Sequence, residues 1–271
     1  MDTTRFGFGK NWGSYSTTID DKKIGEAVNS LKSMLKTDTL EGKTFIDIGS
    51  GSGLFSLAAK RLGAKKIHSF DYDPNSVETT AKIKSLYYPE DTGWTVEHGD
   101  ILDTAYLSKL GTYNIVYSWG VLHHTGNMWQ TLRNTKNLAA TGDSTIFIAL
   151  YNDQGWQSVV WKTIKRWYNT APTKLLKTLI LYLAFIRLWY PTFIKDLLKL
   201  QPGSTWKTYE KNRGMSPWHD VIDWVGGYPF EVARFDDVVS FFHRDGFTLI
   251  NSIRCYGHGN SEFVFRTQLN K

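Results

Sequence analysis

A glycine-rich loop is the strongest candidate for chemistry in this sequence of 271 residues. Residues 47–53 read Asp-Ile-Gly-Ser-Gly-Ser-Gly and lie between a predicted strand and a predicted helix. Glycines at such a turn allow the backbone to approach a ligand closely. The spacing differs from the Gly-x-Gly-x-x-Gly of dinucleotide-binding loops, because Leu54 and Ser56 stand where a third glycine would be required. No Gly-Lys-Ser/Thr follows, which excludes a phosphate-binding P-loop.

Acidic residues lie at or near the ends of three predicted strands, the edge at which a parallel sheet binds its ligands. Asp47 is near the end of the first strand, Asp71 ends the second, and Asp100 follows the third. A carboxylate after the second strand accepts hydrogen bonds from both ribose hydroxyls in dinucleotide-binding folds. One after the third strand could accept from an exocyclic adenine amine. Each aspartate alone could simply cap a helix, but the three together with the glycine loop predict a nucleoside-containing ligand.

Strands and helices alternate through most of the chain, which predicts a parallel sheet with helices on both faces. Apolar residues at three- and four-residue spacing predict a first helix over 20–35. The predicted strands are 44–48, 66–70, 95–98, 113–117, 144–150, 247–254 and 262–266. The predicted helices between them are 54–62, 74–86, 128–138 and 236–244. A short link containing glycine joins the last two strands, which favours antiparallel pairing.

With its elements in this order, the sequence resembles the class I S-adenosylmethionine (SAM)-dependent methyltransferases over 41–152 and 230–271. The resemblance implies a Rossmann-like, seven-stranded, mostly parallel sheet with an antiparallel last strand. It implies SAM as the cofactor and S-adenosylhomocysteine as the product. It also implies that Asp71 holds the ribose, and that Asp100 and Ile101 bracket the adenine. The predicted SAM-binding residues are Asp47, Gly49, Ser50, Gly51, Gly53, Asp71, Tyr72, Asp100, Ile101 and Trp119.

The segment around the fourth strand, 117–124, resembles that of methyltransferases acting on small molecules, such as ubiquinone, menaquinone and sugar O-methyltransferases. The resemblance implies a small-molecule or lipid-linked acceptor and no nucleic-acid partner. A hydroxyl acceptor must lose a proton, which a histidine accepts near neutral pH. The predicted catalytic residues are His123, His124 and His219. The predicted acceptor-side residues are Tyr151, Arg213, Asp220 and Tyr228, and no metal site is predicted.

The sequence therefore predicts a SAM-dependent methyltransferase whose acceptor atom is a hydroxyl oxygen. Two alternatives stay open. One is transfer to a nitrogen atom or to a sugar hydroxyl of a glycan precursor. The other is a non-catalytic protein that binds SAM and serves as a membrane-associated partner.

Positive charge is concentrated in one segment of the chain. The net formal charge is +6, and 156–200 contains eight Lys or Arg and one acid, Asp196. This segment interrupts the alternation of strands and helices, so it predicts an insertion of two or three helices. One interpretation is a helical lid, packed on the core or on a second subunit. The other is an amphipathic helix on an anionic membrane surface.

Four parts of the chain are predicted, and the composition suggests where the protein is found. They are a cap segment 1–40, a SAM-binding core 41–152, a helical insertion with an acceptor-side loop 153–229, and the C-terminal part of the core 230–271. The single cysteine, Cys255, cannot form an intramolecular disulfide, which suits a reducing compartment. No apolar run opens the chain, and no uncharged apolar stretch reaches the ~20 residues of a membrane span. A cytoplasmic location is predicted, with peripheral membrane contact as the further option; the oligomeric state is not predicted.

Overall fold

The structure is a computed structural model that describes residues 5–7, 9, 19–139, 142–213 and 216–267, without the side chains of 210–213 and 219. The strands are β1 (Thr44–Ile48), β2 (Lys66–Asp71), β3 (Trp94–His98), β4 (Ile115–Trp119), β5 (Thr145–Tyr151), β6 (Phe247–Ile253) and β7 (Asn260–Thr267). The helices are α1 (Asp21–Leu35), α2 (Leu54–Arg61), α3 (Pro74–Tyr87), α4 (Thr104–Leu107), α5 (Met128–Asn137), α6 (Trp156–Thr170), α7 (Lys174–Leu198), α8 (Ser204–Arg213), α9 (Pro217–Gly226) and α10 (Phe235–His243). A short 3₁₀ turn, Leu122–His124, follows β4.

The seven strands form one sheet in the order β3-β2-β1-β4-β5-β7-β6. Strands β1 to β5 pair in parallel, whereas β7 is antiparallel to both of its neighbours, β5 and β6. This is the Rossmann-like methyltransferase fold, and it confirms the predicted fold class. The carboxyl ends of β1, β2 and β4 therefore lie side by side along one edge of the sheet.

Apolar side chains cover both faces of the sheet, as the near-continuous apolar runs of its central strands require. In β1, Phe45 contributes to the core on one face and Ile46 to the core on the other. The face that holds Phe45 is covered by α1 and α2, through buried residues such as Leu31 and Leu57. The opposite face is covered by α5 and α10, through Leu132 and Phe242. The sheet is thus buried on both sides, and only its edges and strand ends remain for a site.

The fourth strand begins two residues later than the predicted 113–117. Asn114 uses its side-chain oxygen to accept a hydrogen bond from Thr44 N at 3.0 Å, and its backbone N–H donates to Thr44 Oγ1 at 3.0 Å. Side-chain bonds thus replace the regular ladder there, and Tyr113 forms only an isolated bridge to Ala139. The shift places Trp119 within the strand, at its carboxyl end.

The chain divides into two compact units, a larger one of 7–154 with 231–271 and a smaller one of 1–6 with 155–230. The smaller unit contains four helices among its described residues, α6 to α9, rather than the two or three that the sequence predicts. Pro191 does not end a helix but lies within the 25-residue α7. Its missing N–H costs helix stability. The ring of the neighbouring Trp189 packs against that of Trp206, at a centroid distance of 4.9 Å.

A fully buried lysine lies at the centre of the smaller unit. The Nζ atom of Lys165 donates to the carbonyl oxygen of Trp224 and lies 4.2 Å from the Trp224 ring and 4.7 Å from the Phe230 ring. Burial lowers the pKa of this amine well below its usual value, although Asp223 acts in the opposite direction. Burying a charged ammonium among aromatic rings is costly, so the group is expected to lose its proton instead.

We expect Lys165→Met to stabilise the protein by about 1 to 4 kcal/mol at neutral pH, the range seen when buried charged groups are replaced by apolar ones. The unfolded chain binds a proton at this lysine where the folded chain does not. Above about pH 7, where the raised pKa values of Asp47 and Asp71 no longer act, wild-type stability should therefore rise with pH up to about 10. The variant should lose this dependence. Urea unfolding at several pH values measures both effects, with Lys162→Met, an exposed position on the same helix, as the control. Equal free energies of unfolding for the two variants would show that burying the Lys165 amine does not destabilise the protein.

Candidate active site

The glycine loop, residues 47–53, connects β1 to α2 at the carboxyl edge of the sheet. The backbone N–H of Gly49 donates to the carbonyl oxygen of Phe70 at 2.8 Å, which ties the loop to β2. Gly49 has a φ of 75°, and a Cβ built there would lie 2.5 Å from both methyl groups of Val121. Glycine at 49 is therefore required by the close packing of the loop against the chain that follows β4.

The helix α3 supports the same loop from another side. Ser50 Oγ and Thr80 Oγ1 are hydrogen-bonded at 2.9 Å, and both side chains are buried. A Cβ at Gly53 would lie 3.0 Å from the Thr80 methyl group. Contacts to β2, α3 and the segment after β4 thus hold the backbone of the loop in one conformation.

Asp47 is buried beneath the loop rather than directed out of it. Its Oδ2 accepts a hydrogen bond from Ser56 Oγ at 2.5 Å, and Ser56 Oγ is in turn 2.7 Å from Ser69 Oγ. Trp94 donates its indole N–H to Ser69 Oγ at 2.8 Å. Burial raises the pKa of Asp47 to about 7, although the Ser56 hydrogen bond acts to lower it. This network favours a role in supporting the loop, and direct contact of Asp47 with SAM stays a prediction.

Asp71 stands at the end of β2 with its carboxylate against the loop. Oδ2 accepts from the N–H of Gly51 at 2.9 Å, and Oδ1 accepts from the N–H of Asp73 at 2.9 Å. Burial raises the pKa of Asp71 to about 6, while its two backbone hydrogen bonds act to lower it. A fixed carboxylate at the edge of the sheet, next to a loop amide, fits a ribose with two adjacent hydroxyls.

The predicted adenine side lies after β3 and next to Asp71. Tyr72 is 48% exposed, and its backbone oxygen is 3.0 Å from His98 Nε2. Asp100 Oδ1 accepts from the N–H of Leu102 at 2.9 Å, so that one carboxylate oxygen shapes the turn. Ile101 is buried, and its carbonyl oxygen accepts from the Asn134 amide at 2.7 Å. The exposed ring of Tyr72 is the better placed of these groups to pack on a base, and the assignment to adenine stays a prediction.

The predicted SAM-binding residue Trp119, at the end of β4, contacts a carboxylate of β7 that the sequence does not single out. Trp119 is 43% exposed, and its side chain donates a hydrogen bond to Glu262 of β7. Burial raises the pKa of Glu262 above its usual value, although the Trp119 hydrogen bond acts against this shift. Strand β5 pairs with β4 on one side and with β7 on the other, so only the assembled sheet brings these two residues together.

The two adjacent histidines after β4 have different surroundings. His123 is fully buried, and its Nδ1 accepts from the backbone N–H of Tyr151 at 3.3 Å. The rings of His123 and Tyr151 are 3.9 Å apart. His124 is only half-buried and meets Tyr151 edge-on at a centroid distance of 5.4 Å. The contacts favour a structural role for His123, which leaves His124 as the better candidate for a base.

The other predicted catalytic and acceptor-side residues belong to the smaller unit. Asp220 Oδ2 accepts from the hydroxyl of Tyr209 at 2.5 Å, and Tyr228 accepts at its backbone oxygen from the N–H of Phe6 at 2.8 Å. The side chains of Arg213 and His219 lie outside the described residues. Roles for these four residues toward an acceptor stay predictions.

One further contact concerns the predicted cap segment 1–40. The N–H of Gly9 donates to Asp73 Oδ2 at 2.7 Å, and Asp73 also accepts from the N–H of Asn75 at the start of α3. Residues 8 and 10–18 lie outside the described part of the chain. Gly9 therefore lies next to Asp73, two residues beyond Asp71 at the end of β2.

The family model that matches this chain covers the residues around the glycine loop. The family model for ribosomal protein L11 methyltransferase (PrmA) matches residues 27–89. The L11 methyltransferase of Anoxybacillus flavithermus is 32% identical over 113 residues, 36% of each chain. That of Bacillus velezensis is 28% identical over 138 residues, 45% of this chain and 44% of the relative. The match thus spans less than half the length of these curated relatives.

Solved structures match over a larger part of the chain, at low identity. Magnesium protoporphyrin IX methyltransferase from Synechocystis PCC 6803, with bound SAH, is 13% identical with a TM-score of 0.53. The match covers 94% of this chain and 84% of that one. PKMT2 from Rickettsia typhi, in complex with AdoHcy, is 13% identical with a TM-score of 0.57, covering 89% and 52%. At this identity the likeness concerns the fold alone.

The fold is that of the class I SAM-dependent methyltransferases, and the glycine loop lies where the carboxyl ends of the parallel strands meet. The family model that matches the residues around this loop is that of the ribosomal protein L11 methyltransferases. Those relatives are named for a protein acceptor. The prediction of a small-molecule or lipid-linked acceptor, which rests on the few residues of 117–124, is therefore wrong. Nothing in these comparisons supports the predicted membrane contact of 156–200, and no helix of the described residues is long and apolar enough to cross a membrane.

Proposed function

We propose that this chain transfers the methyl group of SAM to a side chain of a protein. The observation that carries the proposal is the glycine loop with Asp71, in the part of the sequence that matches the L11 methyltransferases. The acceptor class rests on the names of those relatives. The accepting atom is a side-chain nitrogen or hydroxyl oxygen, and in either case one proton leaves the acceptor during transfer.

The residues at the carboxyl edge of the sheet would each bind a different part of SAM. When bound, SAM supplies a methyl group on a cationic sulfur: the acceptor's lone pair forms the new bond to carbon, and the breaking C–S pair stays on sulfur. Asp71 would accept hydrogen bonds from the ribose, and the loop 47–53 would hold the methionine part. Because the sulfonium already activates the methyl group, the protein mainly aligns the two reactants and keeps water out.

The acceptor's proton needs a base near the end of β4. His124 is half-buried there, and its edge contact with Tyr151 limits its orientations. A histidine takes up a proton readily near neutral pH. Glu262 is a second group at the same edge, and burial raises its pKa so that it too could hold a proton closer to neutral pH.

A labelling experiment tests the proposed acceptor class. The purified protein is incubated with methyl-labelled SAM and a cell extract, which is then separated into proteins, small metabolites and an organic phase. We expect label in discrete protein bands, and digestion followed by mass spectrometry identifies the modified side chain. Label confined to the metabolite or organic fraction would refute a protein acceptor. SAM binding without any S-adenosylhomocysteine formation would favour the non-catalytic alternative.

For His124, we expect the alanine variant to lower turnover by about a hundredfold or more, which is the usual contribution of a positioned base. Its affinity for SAM should stay within about twofold of wild type, since the glycine loop and Asp71 are untouched. His123→Ala is the matched comparison and should lower the melting temperature instead, because His123 is fully buried. Steady-state kinetics and thermal unfolding separate the two. Unchanged turnover in the His124 variant would remove it from the mechanism.

A further inference from the structure

Trp119, Ala149 and Glu262 lie side by side on three neighbouring strands of the sheet. The register pairs Trp119 of β4 with Ala149 of β5, and Ala149 with Glu262 of β7. Residues paired in this way share one face of a sheet, and neighbouring strands are about 4.8 Å apart. Because Ala149 carries only a methyl group, the indole can lie across β5 and donate its N–H to Glu262. This bond fixes the orientation of the ring, while 43% of Trp119 stays exposed.

The chain contacts the strand β1 and the glycine loop on either side of Trp119. Just before it, Ser118 Oγ donates to the carbonyl oxygen of Ile48, the last residue of β1, at 2.9 Å. Just after it, the methyl groups of Val121 are the atoms that a Cβ at Gly49 would meet. Since both neighbours of Trp119 are fixed against this part of the chain, its exposed indole stands beside the loop that would hold the methionine part of SAM.

Three carboxylates influence one another at this end of the sheet. The buried hydroxyl of Tyr117, two residues before Trp119, has no hydrogen-bond partner among the described residues. Its pKa is raised well above the usual value, first by burial and then by the charges of Asp47 and Glu262. Burial is also the main cause of the raised pKa of Asp47, and the charge of Asp71 adds to it. A cationic group bound among these carboxylates would offset their repulsion.

SAM and S-adenosylhomocysteine share the adenosine and the amino-acid part, and they differ in one methyl group and in the positive charge on sulfur. Among aromatic side chains, the face of an indole attracts a cation most strongly. We propose that Trp119, held in place by Glu262, binds the sulfonium group and makes the site select SAM over S-adenosylhomocysteine. The neutral product would lose this attraction and leave more readily. The inference rests on the proposed function, because it requires SAM to bind at the glycine loop.

Isothermal titration calorimetry with the two ligands tests the inference on the full-length protein, without any acceptor. We expect Trp119→Leu to weaken SAM binding by about five- to thirtyfold, which is the effect of losing a cation–π contact that is partly or fully shielded from water. The affinity for S-adenosylhomocysteine should change by less than about threefold. Trp119→Phe keeps an aromatic face and should retain part of the selectivity for SAM. Circular dichroism verifies that both variants are folded.

Two further variants separate the charge from the ring. Glu262→Gln keeps an oxygen that accepts from the indole N–H but removes the negative charge, so it should reduce the selectivity for SAM by about threefold. Tyr72→Leu is the matched aromatic control, since Tyr72 is 48% exposed and is predicted to pack on the adenine, which both ligands carry. We expect Tyr72→Leu to weaken the two ligands alike and to leave the ratio of their dissociation constants unchanged.

The outcomes separate this inference from the proposed function. Equal losses of the two ligands in Trp119→Leu would mean that the ring packs on a part common to both. Unchanged affinities for both would mean that the ring does not contact the cofactor. Either result overturns the role of Trp119 and leaves the proposed function standing. A wild-type protein that binds neither ligand would refute the proposed use of SAM, and the inference with it.

Discussion

Replacing Asp71 with alanine is expected to weaken SAM binding by at least about a hundredfold. The two ribose hydroxyls would each lose a hydrogen bond to a charged acceptor, and such bonds contribute roughly 1.5 to 3 kcal/mol each. The loop would also lose an anchor, because Asp71 Oδ2 accepts from the N–H of Gly51. Isothermal titration calorimetry with SAM and with S-adenosylhomocysteine measures the loss, and both ligands should be affected alike because both carry the ribose.

The neighbouring aspartate provides the control for this variant. Asp73 lies two residues away and caps α3: its Oδ1 accepts a hydrogen bond from the backbone N–H of Asn75 at 2.9 Å. Asp73→Ala should cost about 1 kcal/mol of stability through the lost cap, while SAM affinity changes by less than about threefold. Wild-type affinity in Asp71→Ala, or equal losses in the two variants, would show that the ribose site is misplaced.

The pH dependence of SAM binding gives a second measure of the same carboxyl group. The pKa of Asp71 is raised to about 6 by burial, so below pH 6 the free protein holds a proton that the ribose-binding form has to release. Affinity should therefore rise with pH, by roughly tenfold between pH 5 and pH 8, and then level off. Asp71→Asn cannot release a proton and should flatten most of this dependence, leaving only the part that Asp47 contributes.

The second large effect is expected at Gly49, where alanine should destabilise the protein by about 2 to 5 kcal/mol and abolish measurable SAM binding. Part of this cost is the left-handed backbone, with a φ of 75°, which a residue with a Cβ adopts at about 1 to 2 kcal/mol. The rest is the collision of the new Cβ with Val121, 2.5 Å from both of its methyl groups. Overpacking of this kind costs about 1 to 3 kcal/mol.

A matched glycine separates the two contributions. Gly42 has nearly the same φ, 73°, but a Cβ there would meet no atom within 4 Å. Gly42→Ala should therefore cost only the backbone part and leave SAM binding intact. In the background of Gly49→Ala, the change Val121→Ala removes both colliding methyl groups and should restore part of the stability. Urea unfolding of these variants measures their free energies of unfolding. Equal losses of stability in Gly42→Ala and Gly49→Ala would rule out the collision with Val121 as a cause.

Much of the core was predictable because its signals are local. The run Thr44–Ile48, the glycine loop and Asp71 at the end of β2 are read directly from neighbouring residues, and the structure has the strand and the helix after it where the sequence predicts them. The predicted Met128–Leu138 helix also ends within one residue of the observed one. The carboxylates at the strand ends follow from the parallel order of the strands alone.

The rest depended on contacts that are distant in sequence. Ser56, Ser69 and Trp94 form the network that holds Asp47, and no local pattern links these three positions. A serine on the apolar side of α2 was the one available signal. Glu262 contacts Trp119 only because β7 lies next to β5, which in turn lies next to β4. The acceptor prediction rested on residues 117–124, whereas the family model that speaks against it matches 27–89.

The points at which the chain leaves and re-enters the larger unit are held together by backbone pairing. Asn152 and Ala233 form a parallel bridge, and the N–H of Asp153 donates to the carbonyl oxygen of Ala233 at 3.1 Å. Residues 155–230 are thus an insertion whose two ends are fixed next to each other. The entropy of closing such an insertion grows only slowly with its length, by about 0.6 kcal/mol for each doubling. Residues 155–230 can therefore change in length without moving the sheet.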